Sequence, residues 1–351
     1  MVTCVSIIEN VQNYFDKKGN KALGLAGKTE ISVLGKGESN LNLLAQNCDK
    51  EFVVRVSLLE KSRTKREYNT LKSIELLKIA PRAYILDTSR EFVDEDFSVI
   101  ERLLGTQIIG YISAEDAMTV ARILSKLHRK KYSHFGQIDG KLQAGDLYDV
   151  LTERKGWVSY EFDKLAEEIT RNHKPDDSAQ SILPALIKLK AALDDICLKN
   201  KQFFSGSRFS VIHGDLRQWN LLKYPDGINL IDWELARIAD PAEDIANFFV
   251  NSYILESSKK AFMDEYRRSS EDKNLEKRIK VYALLQSMGI AFWFGKNYYY
   301  NRSKKLHREL NTPEREKEYL KDFFYFLSLS IKQSGLDPHM TPSKARQLGG
   351  L

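Results

Sequence analysis

The stretch from Val211 to Glu234, V-I-H-G-D-L-R-Q-W-N-L-L-K-Y-P-D-G-I-N-L-I-D-W-E, constrains the fold more than any other part of the chain. Asp215 and Asn220 stand five residues apart. That is too far for neighbours on one strand and an awkward phase for one helix, so a loop presents them. Leu221 and Leu222 read as a buried strand, Pro225-Asp226-Gly227 as a turn, and Ile228 to Ile231 as the returning strand. Such a hairpin brings Asp232 back beside Asn220. Mg2+ prefers oxygen ligands and draws only one or two from protein where phosphates and waters supply the rest. Asn220 and Asp232 match that count. Asp215 is left to accept the proton of an attacking hydroxyl, or to orient it.

Upstream, Leu34-Gly35-Lys36-Gly37-Glu38-Ser39-Asn40 makes a glycine-containing turn between two apolar, strand-like segments. Gly35 and Gly37 would let backbone N–H groups approach a phosphate, and Ser39 and Asn40 could donate hydrogen bonds to it; an ordinary hairpin turn is the other reading. Phe52 to Val56 is a compact β-branched strand on which Val53 and Arg55 point the same way. Arg55 is either a group turned toward a ligand or a surface charge on an edge strand. Arg63 to Lys78 follows as a helix with Tyr68, Leu71, Ile74 and Leu77 on its inner face. Glu67, four residues before Leu71, shares that face and can pair with Arg55, or with Arg63 or Arg66.

His213-Gly214-Asp215 with Asn220, followed by Ile231-Asp232-Trp233-Glu234, resembles the catalytic loop and metal-binding aspartate of the protein-kinase-like superfamily. The form resembles that of the aminoglycoside phosphotransferase branch, to which choline kinases are related. The resemblance implies an α+β, bilobal protein-kinase-like fold. A small N-terminal antiparallel-sheet lobe would cover residues 1–104, with a hinge at about 100–105. A larger, mainly helical catalytic and substrate lobe would cover 105–335, followed by a tail at 336–351. It implies ATP and Mg2+ as cofactors, with Val53 roofing the adenine, Arg55 in the place of the phosphate-pairing lysine and Glu67 holding Arg55. Backbone groups near Glu101 and Leu103 would read the base, an arrangement equally open to GTP. Two departures stand out. Arg55 is a planar fork where the family pattern has a compact ammonium, and Asn40 sits near the place of a third glycine.

Ser113-x-x-Asp116 is a capping box opening a helix whose inner face is Ala117, Val120, Ala121, Leu124 and Leu127. His128 at its edge reads as a core histidine satisfied by hydrogen bonds. A long insertion, helical over 145–169 and 182–197, separates it from His213 and is either wall of a small-molecule pocket or scaffold. Asp240-Pro241-Ala242-Glu243 starts a helix soon after Asp232, and Asp244 is placed to brace the loop from below. No room remains there for a segment on which a peptide substrate could rest. Phe292, Trp293, Tyr298, Tyr299 and Tyr300 repeat at helical spacing, which reads as core; an aromatic cage for an ammonium group is the alternative. Asp244 to Phe249 is also similar to a stretch of choline and ethanolamine kinases. The expectation is an ATP-dependent O-phosphotransferase acting on a hydroxyl of a small molecule. A choline or ethanolamine kinase is the alternative within the fold, and a nucleotide-binding regulator that lost the chemistry is the alternative outside it.

Composition narrows the class. The 351 residues are 42% hydrophobic and 29% charged, enough for a large core. The net charge of +6 is spread through interleaved Lys, Arg, Asp and Glu, as along Lys304 to Asp322, and no basic and aromatic module recurs, so no nucleic-acid partner is expected. Cys4, Cys48 and Cys197 are isolated and odd in number, which fits neither a disulfide framework nor a zinc site. With no secretory leader pattern and no long apolar run, the expectation is a cytoplasmic protein without a membrane partner.

Overall fold

The computed structural model describes residues 4–36, 40–48, 50–58, 61–171, 182–302 and 312–336. Gly37 and Ser39 therefore lie outside the described residues, as do the polar stretch at 172–181 and the tail beyond 336. The chain divides into two compact units. One comprises Met1–Ala144, Phe209–Asp244 and Asn251–Glu271, and the other Gly145–Arg208, Ile245–Val250 and Asp272–Leu351.

The first unit carries all the described strands. Its main sheet is antiparallel, in the order β1 (Glu30–Lys36), β2 (Asn40–Asn47), β3 (Lys50–Ser57), β5 (Phe97–Glu101), β4 (Ala83–Asp87). Period-two patterning sets its two faces. Phe52, Val54 and Val56 of β3 join Leu41, Leu43 and Val99 in an apolar core, which puts Val53 and Arg55 on the opposite face. The helix Cys4–Tyr14 closes that core with Ile7, Val11 and Tyr14, a 3.6-residue spacing, and the Tyr14 ring meets Phe97 edge-on at 4.8 Å. On the helix Lys61–Ile74, Glu67, Leu71 and Ile74 are buried together.

The rest of this unit is small sheets and helices. β6 (Thr106–Gln107), β10 (Leu221–Tyr224) and β11 (Gly227–Leu230) form one sheet, with β10 central. β7 (His134–Phe135) pairs with β8 (Gln143–Ala144), and β9 (Ser210–Ile212) with β12 (Arg237–Ala239). The expected hairpin is the β10–β11 pair, with Leu221 opposite Leu230 and Tyr224 opposite Gly227. The helix Ala114–Leu127 starts at the expected box, where Ser113 Oγ accepts from the Asp116 N–H at 3.0 Å. The helix Pro241–Asn251, of which Ile245–Val250 count with the second unit, is capped by Asp240, which accepts from the Ala242 N–H at 3.0 Å.

The second unit is helical: Leu147–Arg171, Leu183–Lys199, Leu275–Arg302 and Pro313–Ser334. Leu275–Arg302 packs against both Leu147–Arg171 and Pro313–Ser334, which is why it is apolar around much of its circumference. Gly289 lets the Trp157 ring come so close that an added Cβ would sit 1.9 Å from it. Phe292 and Tyr299 are buried, and Phe292 packs edge-on against Phe162. For these two rings the aromatic stripe is core.

Candidate active site

The loop from His213 to Asn220 is built on a buried carboxylate. Asp244 accepts from the N–H groups of His213, at 2.7 Å, and Gly214, at 2.9 Å, and faces His128 Nε2 at 3.3 Å. Burial opposes its charge, but His128 and His213 outweigh burial and hold the Asp244 carboxyl below its usual range. His128 in turn reaches the Tyr266 hydroxyl at 2.9 Å, so it is a satisfied core histidine. His213 Nε2 donates to the Ile231 carbonyl at 2.9 Å, and its Nδ1 accepts from the Asp215 N–H at 3.3 Å. Those two partners fix the tautomer of His213. Gly214 has φ +81°, and a Cβ there would lie 2.2 Å from the Leu235 carbonyl, so only glycine fits.

These ties place the three expected acceptors. Asn220 Nδ2 donates to the Asp215 carbonyl at 2.9 Å and lies 3.4 Å from the Asp215 carboxylate, leaving Oδ1 as its outward atom. The Ile231 N–H donates to the Asn220 carbonyl at 3.0 Å, which sets Asp232 beside Asn220 as the hairpin predicts. Asp232 holds φ +69°, a left-handed conformation that Asp tolerates and most residues do not. Burial pushes the Asp215 carboxyl above its usual value, and Asp232 adds to the shift while Arg217 opposes it.

The other expected residues gather around Arg55. Its Nε pairs with Glu67 at 2.8 Å, its Nη2 contacts Asp232, and Glu234 lies 3.6 Å away. Glu67 also accepts from the Trp233 N–H at 3.1 Å. The pairing of Glu67 with Arg55 is thus the one the structure adopts. Burial, with repulsion from Asp232 and Glu234, pushes Glu67 up to about 7 against the pull of Arg55. Burial also disfavours the Arg55 charge, yet the surrounding carboxylates raise its pKa above the ordinary value. Two guanidiniums, Arg55 and Arg63, serve three carboxylates, so the deepest of them, Glu67, holds a proton most readily. Burial opposes charge at Asp232 too, but Arg55 overrides it and keeps that carboxyl below its usual range.

Asn40 is drawn into the same cluster and donates to Glu234 at 2.6 Å. Gly35 sits at an irregularity in the β1–β2 register. Val53 shares the face of Arg55 by strand alternation and is half-buried. At the end of β5, the Glu101 N–H is bonded to the Arg82 carbonyl at 2.8 Å and its carboxylate accepts from the Arg82 N–H at 3.0 Å. Leu103 lies two residues on, half-buried.

Two participants escaped sequence reasoning. Arg217 pairs with the Asp215 carboxylate at 2.5 Å. Glu234 gathers Asn40, Arg55 and Arg63, the last at 3.1 Å. A signal existed for each: Arg217 is the sole cation in the loop between Asp215 and Asn220, and Glu234 lies two residues past Asp232.

Known proteins share this architecture. The choline kinase of Cryptosporidium parvum superposes with a TM-score of 0.59 at 15% identity, covering 92% of this chain and 97% of that one. The aminoglycoside phosphotransferase APH(4)-Ia gives a TM-score of 0.57 at 16% identity, covering 87% and 98%. The LicA homolog of Metamycoplasma hominis is 32% identical over 115 residues, which span 30% of this chain and 43% of the length of that curated relative. The model of the phosphotransferase enzyme family, APH, matches residues 30–278; the chain belongs to that family.

Proposed function

We propose that the protein transfers the γ-phosphate of ATP to a hydroxyl of a small molecule, with Asp215 as the base. The observation that carries this reading is the convergence of Asp215, Asn220 and Asp232 on one loop and hairpin, beside a guanidinium on the opposing strand. Burial makes Asp215 a stronger base than a solvated carboxylate. Its oxygen takes the proton as the acceptor oxygen bonds to the γ-phosphorus and the bond from phosphorus to the leaving ADP oxygen breaks. Arg217, held against Asp215, is placed to shift its charge onto the transferring phosphoryl group.

The donor set fits magnesium. Asp232 offers a carboxylate, Asn220 an outward amide oxygen, and the three carboxylates outnumber the two guanidiniums, Arg55 and Arg63, that face them. When bound there, magnesium would supply charge neutralisation for the phosphates. Asn220 and Asp232 would hold it, and Arg55, its Nε paired with Glu67, would pair with the α- and β-phosphates. Residues 1–104 form the nucleotide lobe, with Gly35, Gly37, Ser39 and Asn40 over the phosphates, Val53 above the base, and Glu101 and Leu103 at the hinge. Because the Glu101 N–H is already bonded, base reading falls to the peptide groups that follow. Residues 105–335 carry catalysis and acceptor binding. Among the described residues no helix is long and apolar enough to cross a membrane, and with free thiols at Cys48 and Cys197 the cytoplasm is the compartment that suits the chain.

Choline or ethanolamine as acceptor is the second reading, favoured by the likeness to the LicA homolog, whose namesake LicA of Streptococcus pneumoniae is a choline kinase, and to the Cryptosporidium parvum choline kinase. ADP release from Mg-ATP, measured across a panel of sugars, amino alcohols and aminoglycosides with a chelator control, tests both. Release with amino alcohols alone selects the second reading. Magnesium-dependent ATP binding without release for any acceptor would overturn transfer in favour of a regulator.

A further inference from the structure

The catalytic loop carries a buried glutamine that the phosphotransfer reading does not use. Gln218 is fully buried, and its amide joins three segments far apart in sequence. Nε2 donates to the Ile108 carbonyl at 3.0 Å and the Gly110 carbonyl at 3.2 Å, and Oε1 accepts from the Tyr253 N–H at 2.9 Å. Two further ties run alongside. Gln107 Nε2 donates to the Trp219 carbonyl at 3.1 Å, and the Ile112 N–H donates to the Tyr253 carbonyl at 2.7 Å.

What these bonds hold in place is an exposed apolar rim. Gln218, Trp219 and Asn220 form one 3-10 turn, in which successive side chains point about 120° apart. With Gln218 and Asn220 buried, Trp219 is turned outward and is 45% exposed. Tyr111 and Tyr253 meet edge-to-face with centroids 6.4 Å apart and are 68% and 57% exposed, beside Ile109 at 88%. Just before Tyr253 in sequence, Asn251 Oδ1 and Ser252 Oγ are buried with no hydrogen-bond partner among the described residues. A group of exposed aromatics continuous with a catalytic loop marks a binding surface.

We propose that Trp219, Tyr111 and Tyr253 form the wall on which the phosphate acceptor rests, and that Gln218 is the positioning residue fixing this wall to the loop that carries Asp215. The assignment rests on the phosphotransfer reading and names the acceptor's chemistry. Residues 104–113, 217–219 and 251–255 contain no acidic side chain, and Arg217 is their single charge. The carboxylates that border the wall, Asp215 and Glu256, are each already paired with a cation, Arg217 and Lys259, so the rings themselves offer a polycation no anion. The wall suits a neutral or singly charged hydroxyl compound with a C–H face to lay on the rings, either a sugar ring or an alkylammonium group.

The test is steady-state ADP release from Mg-ATP by the full chain with three probes: methyl glucoside, choline and the polycation kanamycin. Methyl glucoside or choline should be turned over with a lower KM than kanamycin. Gln218→Met, which leaves two carbonyls and an N–H without their partner, should raise that acceptor KM by about 10-fold or more and leave the ATP KM within about 2-fold. Trp219→Ala and Tyr253→Ala touch only exposed rings, so they keep the test alive if Gln218→Met fails to fold; each should raise the acceptor KM by about 10-fold. An acceptor KM unmoved by all three variants overturns the wall while leaving phosphotransfer intact. An ATP KM that rises in step with the acceptor KM reduces Gln218 to a general structural role, and preference for kanamycin overturns the acceptor class. If the wild-type protein binds Mg-ATP and turns over none of the probes, the acceptor class fails, and if it also releases no ADP with any member of the wider panel, the transfer reading fails and the wall falls with it.

Discussion

Two charged clusters in this chain are buried to similar depth and built differently. In the helical unit, Lys296 and Glu161 pair at 2.6 Å, one ammonium to one carboxylate, with side chains 12% and 6% exposed. In the other unit, Arg55 at 12% exposure faces Glu67, Asp232 and Glu234 together. The first arrangement cancels its own charge and needs nothing from outside. The second carries three carboxylates against two guanidiniums, Arg55 and the Arg63 that pairs with Glu234, and its one surplus carboxylate lies where the hairpin turns Asp232 toward Asn220. A buried pair favours one packing of the helices; an unbalanced cluster is what the proposed magnesium site requires.

The contrast is sharpest at Asp215, beside the unbalanced cluster. Asp215→Asn should lower kcat by about 10²- to 10⁴-fold, or roughly 3 to 5.5 kcal/mol of barrier, because the lost group acts in the transition state. Its melting temperature and ATP affinity should stay close to wild type, read by calorimetry and by equilibrium binding. A variant with wild-type turnover would remove Asp215 as the base. At the balanced pair the expected loss is in stability: Glu161→Ala strands the Lys296 ammonium and should cost about 3 to 5 kcal/mol in denaturant unfolding. Replacing both partners, Glu161→Leu with Lys296→Met, should restore most of it. If the single and double variants unfold at the same denaturant concentration, the pair is not what the helices depend on.

How much of this was legible in the sequence follows from how local each feature is. The β10–β11 hairpin could be read because strand pattern and turn chemistry occupy consecutive residues, and it carries Asn220 and Asp232 with it. Glu67 was legible from helical phase alone, and the Ser113 and Asp240 caps from side-chain chemistry. Gln218 was not legible. A glutamine in a loop is ordinarily solvated, and this one is buried only because residues 108–110 and 253 arrive from elsewhere in the chain. The gathering of Asn40 and Arg63 on Glu234 has the same character. Long-range hydrogen bonding leaves no periodic trace.

Asp244 tests whether the buried anion under the loop acts through charge. Asp244→Asn keeps one acceptor but turns an amide toward the N–H groups of His213 and Gly214, so a loss of about 1 to 3 kcal/mol is expected at pH 7. The folded-state pKa of Asp244 lies below its unfolded value. Its contribution is therefore complete above the unfolded carboxylate pKa of about 3.9 and fades as pH falls through the folded value. Denaturant unfolding at pH 7 and pH 3 should show the gap between wild type and variant narrowing in acid. An equal gap at both values would mean that shape, not charge, is what the loop requires.

The smallest effect separates the two clusters most directly. Asp232→Asn removes one carboxylate from a guanidinium that retains Glu67 and Glu234, and Asn tolerates the left-handed φ of +69° at this position. No buried charge is stranded, and repulsion among the remaining carboxylates falls. In the absence of nucleotide and magnesium, the stability of Asp232→Asn should lie within about 1 kcal/mol of wild type, or above it. A loss of the size expected for Glu161→Ala would show that Arg55 depends on Asp232 as Lys296 depends on Glu161. The cluster would then be a structural ion pair, and its surplus of negative charge could no longer be assigned to metal binding.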